Sequence, residues 1–197
     1  MEQGAKQLRV LLLGSPRVFY EEQEIHIMRR LLRALFFYLA SQPDPVGRAT
    51  LMDLFWPDES EEDARRHIRE ALSKLRSELP DPSLLIATQD HVRLNSEQVY
   101  VDLLEYQALL DQVRPYLQRS MHTALPEAIY QQMVKAVNLW RGNEFLAGAN
   151  LPSTDGLDHW LSLTSQSLSF SYQNMLERLT EYTEPPSKTL NSSGTPS

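Results

Sequence analysis

Between Ser60 and Leu79 an apolar residue returns at every third or fourth position, at Ala64, Ile68, Ala71, Leu72, Leu75 and Leu79, with no breaker inside the run. That spacing fits one face of an α-helix and no strand. Ser60 is a good N-cap, with Asp63 three residues on in a capping-box arrangement, and Pro80-Asp81-Pro82 stops the chain at the other end. On a helical wheel Arg65, Arg69 and Arg76 line one flank, while Arg66 and Ser73 lie farther round towards solvent. The leucine face must pack on other elements, so this helix belongs to a folded unit and presents arginine outwards.

The neighbouring segments supply that unit. Leu8–Leu13 is an apolar run broken only by Arg9, Arg17–Tyr20 is a second extended piece, and a polar turn at Glu21–Glu24 leads to the alternating Ile25-His26-Ile27. Together they read as a small antiparallel sheet. Helical spacing follows over Arg29–Gln42, ended by Pro43-Asp44-Pro45, and a short helix over Ala49–Phe55 closes in the Trp56-Pro57-Asp58 turn. After the arginine helix, Leu84–Thr88 and Val92–Asn95 flank Gln89-Asp90-His91 as a hairpin. Strands, three helices and a hairpin make the plan of a winged helix-turn-helix.

From Asp102 the pattern is helical: Asp102–Leu117, Pro126–Trp140 and Leu157–Tyr182, with a Gly/Pro/Ser/Asn-rich loop before the last. Tyr106, Tyr130, Trp140, Trp160 and Tyr172 fall on the apolar faces and read as core. Helix pairs of this size suit a helical-repeat (TPR-like) module. The expected fold class is therefore mainly α with small β, divided into a winged helix at 1–101, a helical domain at 102–182 and a disordered Pro/Ser/Thr-rich tail at 183–197.

Charge limits the partners. The net charge of −7 argues against a generic nucleic-acid binder held by bulk positive charge, yet more than two-thirds of the basic residues precede Asp102. Any DNA surface belongs to that half. Arginine suits base and phosphate recognition because its planar fork makes paired hydrogen bonds to guanine or phosphate. Arg65, Arg66, Arg69, Ser73 and Arg76 are the candidate readers on the helix; Glu59, Glu61, Glu62 and Asp63 complement its dipole and would repel phosphate at its first turn. Arg93 in the hairpin is a candidate for a phosphate or minor-groove contact, and Arg48 and Thr50 for holding the backbone.

Other classes leave little trace. The seven glycines build no phosphate loop, no two histidines sit four apart with a glutamate, and no Gly-x-Ser-x-Gly elbow occurs, so no enzyme is expected. With no cysteine there is no thiolate metal site, and no cofactor is expected. No apolar stretch reaches bilayer length and no signal-type leader opens the chain, which points to a cytoplasmic protein without membrane contact. The competing reading is a helical protein-interaction adaptor in which the winged helix is a docking module.

Particular strings resemble a known family. Leu8-Arg9-Val10-Leu11-Leu12-Leu13-Gly14, Arg48-Ala49-Thr50-Leu51, Leu54-Phe55-Trp56-Pro57-Asp58 and the run Ala64 to Arg76 are similar to the Streptomyces antibiotic regulatory protein family. Val101-Asp102 and Leu139-Trp140-Arg141-Gly142-Asn143-Glu144-Phe145-Leu146 resemble its second half. The resemblance implies an OmpR-type winged helix joined to a bacterial transcriptional activator domain. It implies sequence-specific binding to promoter DNA, often as a dimer on direct repeats, and recruitment of RNA polymerase. The family's activator domain has further helices after the segment matching Leu157–Tyr182, where this chain has a polar tail, so the chain is expected to be either the front end of a larger regulator or a shortened one.

Overall fold

The computed structural model describes residues 7–117 and 125–180; the expected tail at 183–197 lies outside them. A four-stranded sheet opens the chain. Strand β1 (Leu8–Leu11) pairs antiparallel with β2 (Arg17–Tyr20), and β2 with β3 (Gln23–Ile25). The third strand starts two residues earlier than the alternation suggests, because Glu21 and Glu22 both take positive φ (46° and 67°) and close a two-residue hairpin turn. Asn-Gly is the usual solution there; here two glutamates adopt it. Arg17 then grips Glu24 through two hydrogen bonds of 3.0 and 2.8 Å.

Helix α1 (Arg30–Ala40) is buried at every position from Ala34 to Ala40 and is therefore a central helix. A two-residue strand, β4 (Val46–Gly47), precedes α2 (Arg48–Phe55) and α3 (Glu61–Glu78). After a single 3-10 turn, β5 (Leu85–Ala87) and β6 (His91–Leu94) form the hairpin, and β4 adds to its free side, giving the order β4-β6-β5. This is the winged helix-turn-helix, and a helical half follows it: α4 (Asp102–Leu117), α5 (Glu127–Asn138) and α6 (Asp155–Thr180). Helix α6 begins two residues before the expected Leu157, since Thr154 caps it by accepting the Leu157 N–H at 3.2 Å.

Two strands are unforeseen in the sequence, the short β4 and β7 (Val99–Val101). Strand β7 pairs parallel with β1, Leu8 opposite Val99 and Val10 opposite Val101, and completes the order β3-β2-β1-β7. It runs directly into α4, so the first sheet and the helical half are joined without an intervening loop. Asp102, the first residue of α4, is 1% exposed. Its carboxylate accepts the Leu12 and Leu13 N–H groups at 2.7 and 3.1 Å and faces the Arg141 guanidinium at 3.6 Å.

The segment from Arg141 to Ala147 lies along residues 12–15. Arg141 N–H donates to Leu13 O, Leu146 N–H to Leu12 O and Ala147 N–H to Gly14 O, each at 3.0 Å, and the Arg141 guanidinium reaches Ser15 O at 2.8 Å. Gly14 is needed at this contact: its φ is +115°, and a Cβ would meet the Arg141 carbonyl carbon at 3.2 Å.

Apolar packing also crosses between the halves. Tyr38 of α1 meets Trp160 of α6 edge-on at 5.1 Å, and Trp160 meets Phe145 at 6.0 Å. Gly156 lets the start of α6 approach Leu54 of α2 closely. Within the helical half, Trp140 sits between Tyr106 at 5.8 Å and Tyr172 at 4.9 Å. Tyr106 is fully buried beside Ser171, their hydroxyls 2.8 Å apart, and burial pushes its phenol up to about 12.

Asp102→Ala strands two buried amides, each costing ~1–3 kcal/mol. Urea denaturation is expected to show a loss of ~2–4 kcal/mol with both halves still unfolding in one transition. A loss below ~0.5 kcal/mol contradicts the contact.

Candidate nucleic-acid interface

Helix α3 is built as its sequence dictates. Ser60 Oγ accepts the Asp63 N–H at 3.2 Å and donates to the Asp63 carboxylate at 2.7 Å. Ala64, Ile68, Ala71, Leu72 and Leu75 are buried against the rest of the fold, and Arg65, Arg66, Arg69 and Ser73 are left exposed. The hydrogen bond from Ser60, and then the charge of Arg66, hold the Asp63 carboxyl below its ordinary value. A lowered carboxyl contributes stability above its unfolded value and loses it as pH falls through the folded one. The acid cap therefore works at neutral pH and weakens in acid.

A cleft of about 680 Å³ opens between α2, α3 and the hairpin tip. Arg48, Arg65, Arg69 and His91 line it, with Ile68 and Met52 beneath and Gln89 and Asp90 at the rim. Arg48 also sets the position of the tip. Its backbone N–H donates to Asp90 O at 2.8 Å and its Nε to Thr88 O at 3.0 Å. The turn itself is closed by Thr88 N–H to His91 O at 2.8 Å and by His91 N–H to Thr88 Oγ1 at 3.0 Å. Three of the residues singled out from the sequence thus meet in one basic cleft. Gln89, Asp90 and His91 join them; their sequence signal was that of a turn, which carries no information about what the turn faces.

Arg65 and Arg66 have acidic partners within the helix. Arg65 pairs with Glu61 at 2.5 Å and Arg66 with Asp63 at 2.7 Å. Arg69 donates only to the Arg65 carbonyl, at 3.1 Å, and has no carboxylate partner among the described residues. Surface pairs of this kind are worth ~0–1 kcal/mol and can be exchanged for a phosphate. Thr50 is exposed in the first turn of α2, outside the cleft lining, and makes no cap: Gly47 holds the cap position.

The remaining candidates sit elsewhere. Arg76 is half-buried and donates to Leu85 O at 3.2 Å, tying α3 to β5. Arg93 is exposed on β6, two residues from His91, and lines a separate cleft towards α1 and α4. Of the helix-surface arginines near α1, Arg29 faces Glu78 at 3.8 Å, while Arg30 and Arg33 hold the carbonyls of Asn150 and Leu151. Among the described residues no three His, Asp or Glu side chains are grouped to hold a metal ion, and no helix is long and apolar enough to cross a membrane.

No protein-family model and no curated protein sequence matches the chain. Among solved structures it is similar to Mycobacterium tuberculosis EmbR in complex with a low affinity phosphopeptide, at a TM-score of 0.62 and 22% identity. The match covers 87% of this chain and 44% of the EmbR chain, so this chain spans less than half the length of that one. The likeness is one of fold, a winged helix followed by helices.

Ser60→Ala is expected to lower unfolding free energy by ~1 kcal/mol and to raise the Asp63 carboxyl towards its ordinary value in an NMR titration. An unmoved Asp63 contradicts the cap.

Proposed function

We propose that this chain is a sequence-specific regulator of transcription that reads double-stranded promoter DNA. Helix α3 enters the major groove, with Arg65, Arg66, Arg69 and Ser73 facing base edges and phosphates. The hairpin tip and Arg48 hold the adjacent backbone, with Thr50 beside them. The observation that carries this reading is the cleft in which Arg48, Arg65, Arg69 and His91 converge beside the exposed face of α3. A helix with a buried keel and an arginine flank, next to a wing, has the geometry of groove readers.

In this reading residues 1–101 bind DNA, and the helical half from 102 carries the regulatory contacts, including recruitment of RNA polymerase as an activator. Binding as a homodimer on direct repeats, in the cytoplasm, belongs to the same proposal and rests on the family resemblance. The adaptor reading keeps one observation in its favour, the acids that cover Arg65 and Arg66 on α3 in a chain of net charge −7. Salt separates the two readings.

A duplex selected from a random pool supplies the test. With four arginines of each protomer neutralising phosphate, log affinity should fall against log salt with a slope of about −4 per protomer. Arg69→Ala is expected to weaken binding by ~1–3 kcal/mol, and Glu61→Gln, which frees Arg65, to strengthen it. Affinity indifferent to salt and to Arg69→Ala contradicts the assignment.

A further inference from the structure

A second cleft, of about 370 Å³, lies where the two halves meet, between the end of α1, strands β6 and β7 and the first turn of α4. Its walls are mainly apolar, with Leu39, Pro43, Leu94, Val99 and Leu104, and Gln42, Ser96 and Tyr100 add polar groups. Two charged groups reach it. Glu105 accepts the Tyr100 hydroxyl at 2.5 Å and is paired with Lys135 at 2.5 Å, so its charge is already matched. Arg93 is exposed and has no hydrogen bond or ion pair among the described residues. The cleft therefore combines an apolar trough with one uncompensated positive charge.

The geometry points to a binding site for a small amphipathic carboxylate, its head on Arg93 and its apolar body along Leu39, Leu94 and Leu104. Three features carry the assignment. An apolar cleft of this size with one convergent charged group has the make-up of a small-molecule site. The guanidinium fork matches a carboxylate and is not otherwise engaged. A single free charge selects a monoanion: a polyphosphate would leave charge unmatched over apolar walls. The site also touches both halves at once, because β6 carries His91 of the basic cleft at its other end, while Leu104 and Glu105 belong to α4.

The assignment does not depend on DNA binding, and its test uses none. The full chain is titrated by calorimetry with octanoate, octanol and octylamine. Octanoate is expected to bind at least ten-fold tighter than octanol, and octylamine more weakly than either. Arg93→Gln, a change on an exposed strand position, should bring octanoate down to the affinity of octanol. Leu104→Trp should abolish binding by filling the trough, with circular dichroism showing an intact fold. Octanoate binding no tighter than octanol, surviving Arg93→Gln, or undetectable at millimolar concentration overturns the assignment.

Discussion

The carboxylate of Asp102 is the point on which the two halves turn. It sits at the junction of a parallel strand and a helix and accepts two amides from the end of the first strand. It also faces the arginine that anchors the 141–147 segment. Burial raises its carboxyl above the ordinary value, against the opposing pull of the amides and Arg141. The folded chain thus holds a proton there more readily than the unfolded chain. The ionised group costs stability at neutral pH, and that cost eases as pH falls through the raised value. The carboxyl nonetheless satisfies two buried amides that its removal would strand, and it fixes geometry. A half-satisfied buried charge is strongly unfavourable, and this placement of α4 against β1 gives the carboxylate its two amides and Arg141.

Seven arginines of the first half fall into two groups. Arg30 and Arg33 hold loop carbonyls of the helical half, and Arg76 holds a wing strand. They fix where α1 and the hairpin lie. Arg65, Arg66 and Arg69 stay on the surface of α3, two of them covered by acids one helical turn away. Arg48 belongs to both groups, since it tethers the hairpin tip and lines the cleft. A chain of negative net charge can in this way present a small basic surface; under the proposed function, its DNA affinity would be modest and its specificity would depend on placement.

Helix α3, its cap and the hairpin were legible because their signals are local: period, cap residue and turn residues all lie within a few positions of one another. Strand β7 was not. Val99-Tyr100-Val101 has strand character, but three residues gain a strand only from a partner some ninety positions earlier, and parallel pairing leaves no turn signature. The destinations of the arginines were equally hidden, since a carbonyl acceptor carries no sequence signal. The Glu61–Arg65 and Asp63–Arg66 spacings were visible as helical neighbours; reading those acids as dipole and cap residues alone left the pairing out.

Amide hydrogen exchange of the full chain, with and without a selected DNA duplex, maps which surface the duplex covers. Slowed exchange concentrated in residues 48–52, 61–76 and 88–91, with α5 and α6 unchanged, is the expected pattern. Protection confined to the helical half, or none in α3, would contradict it.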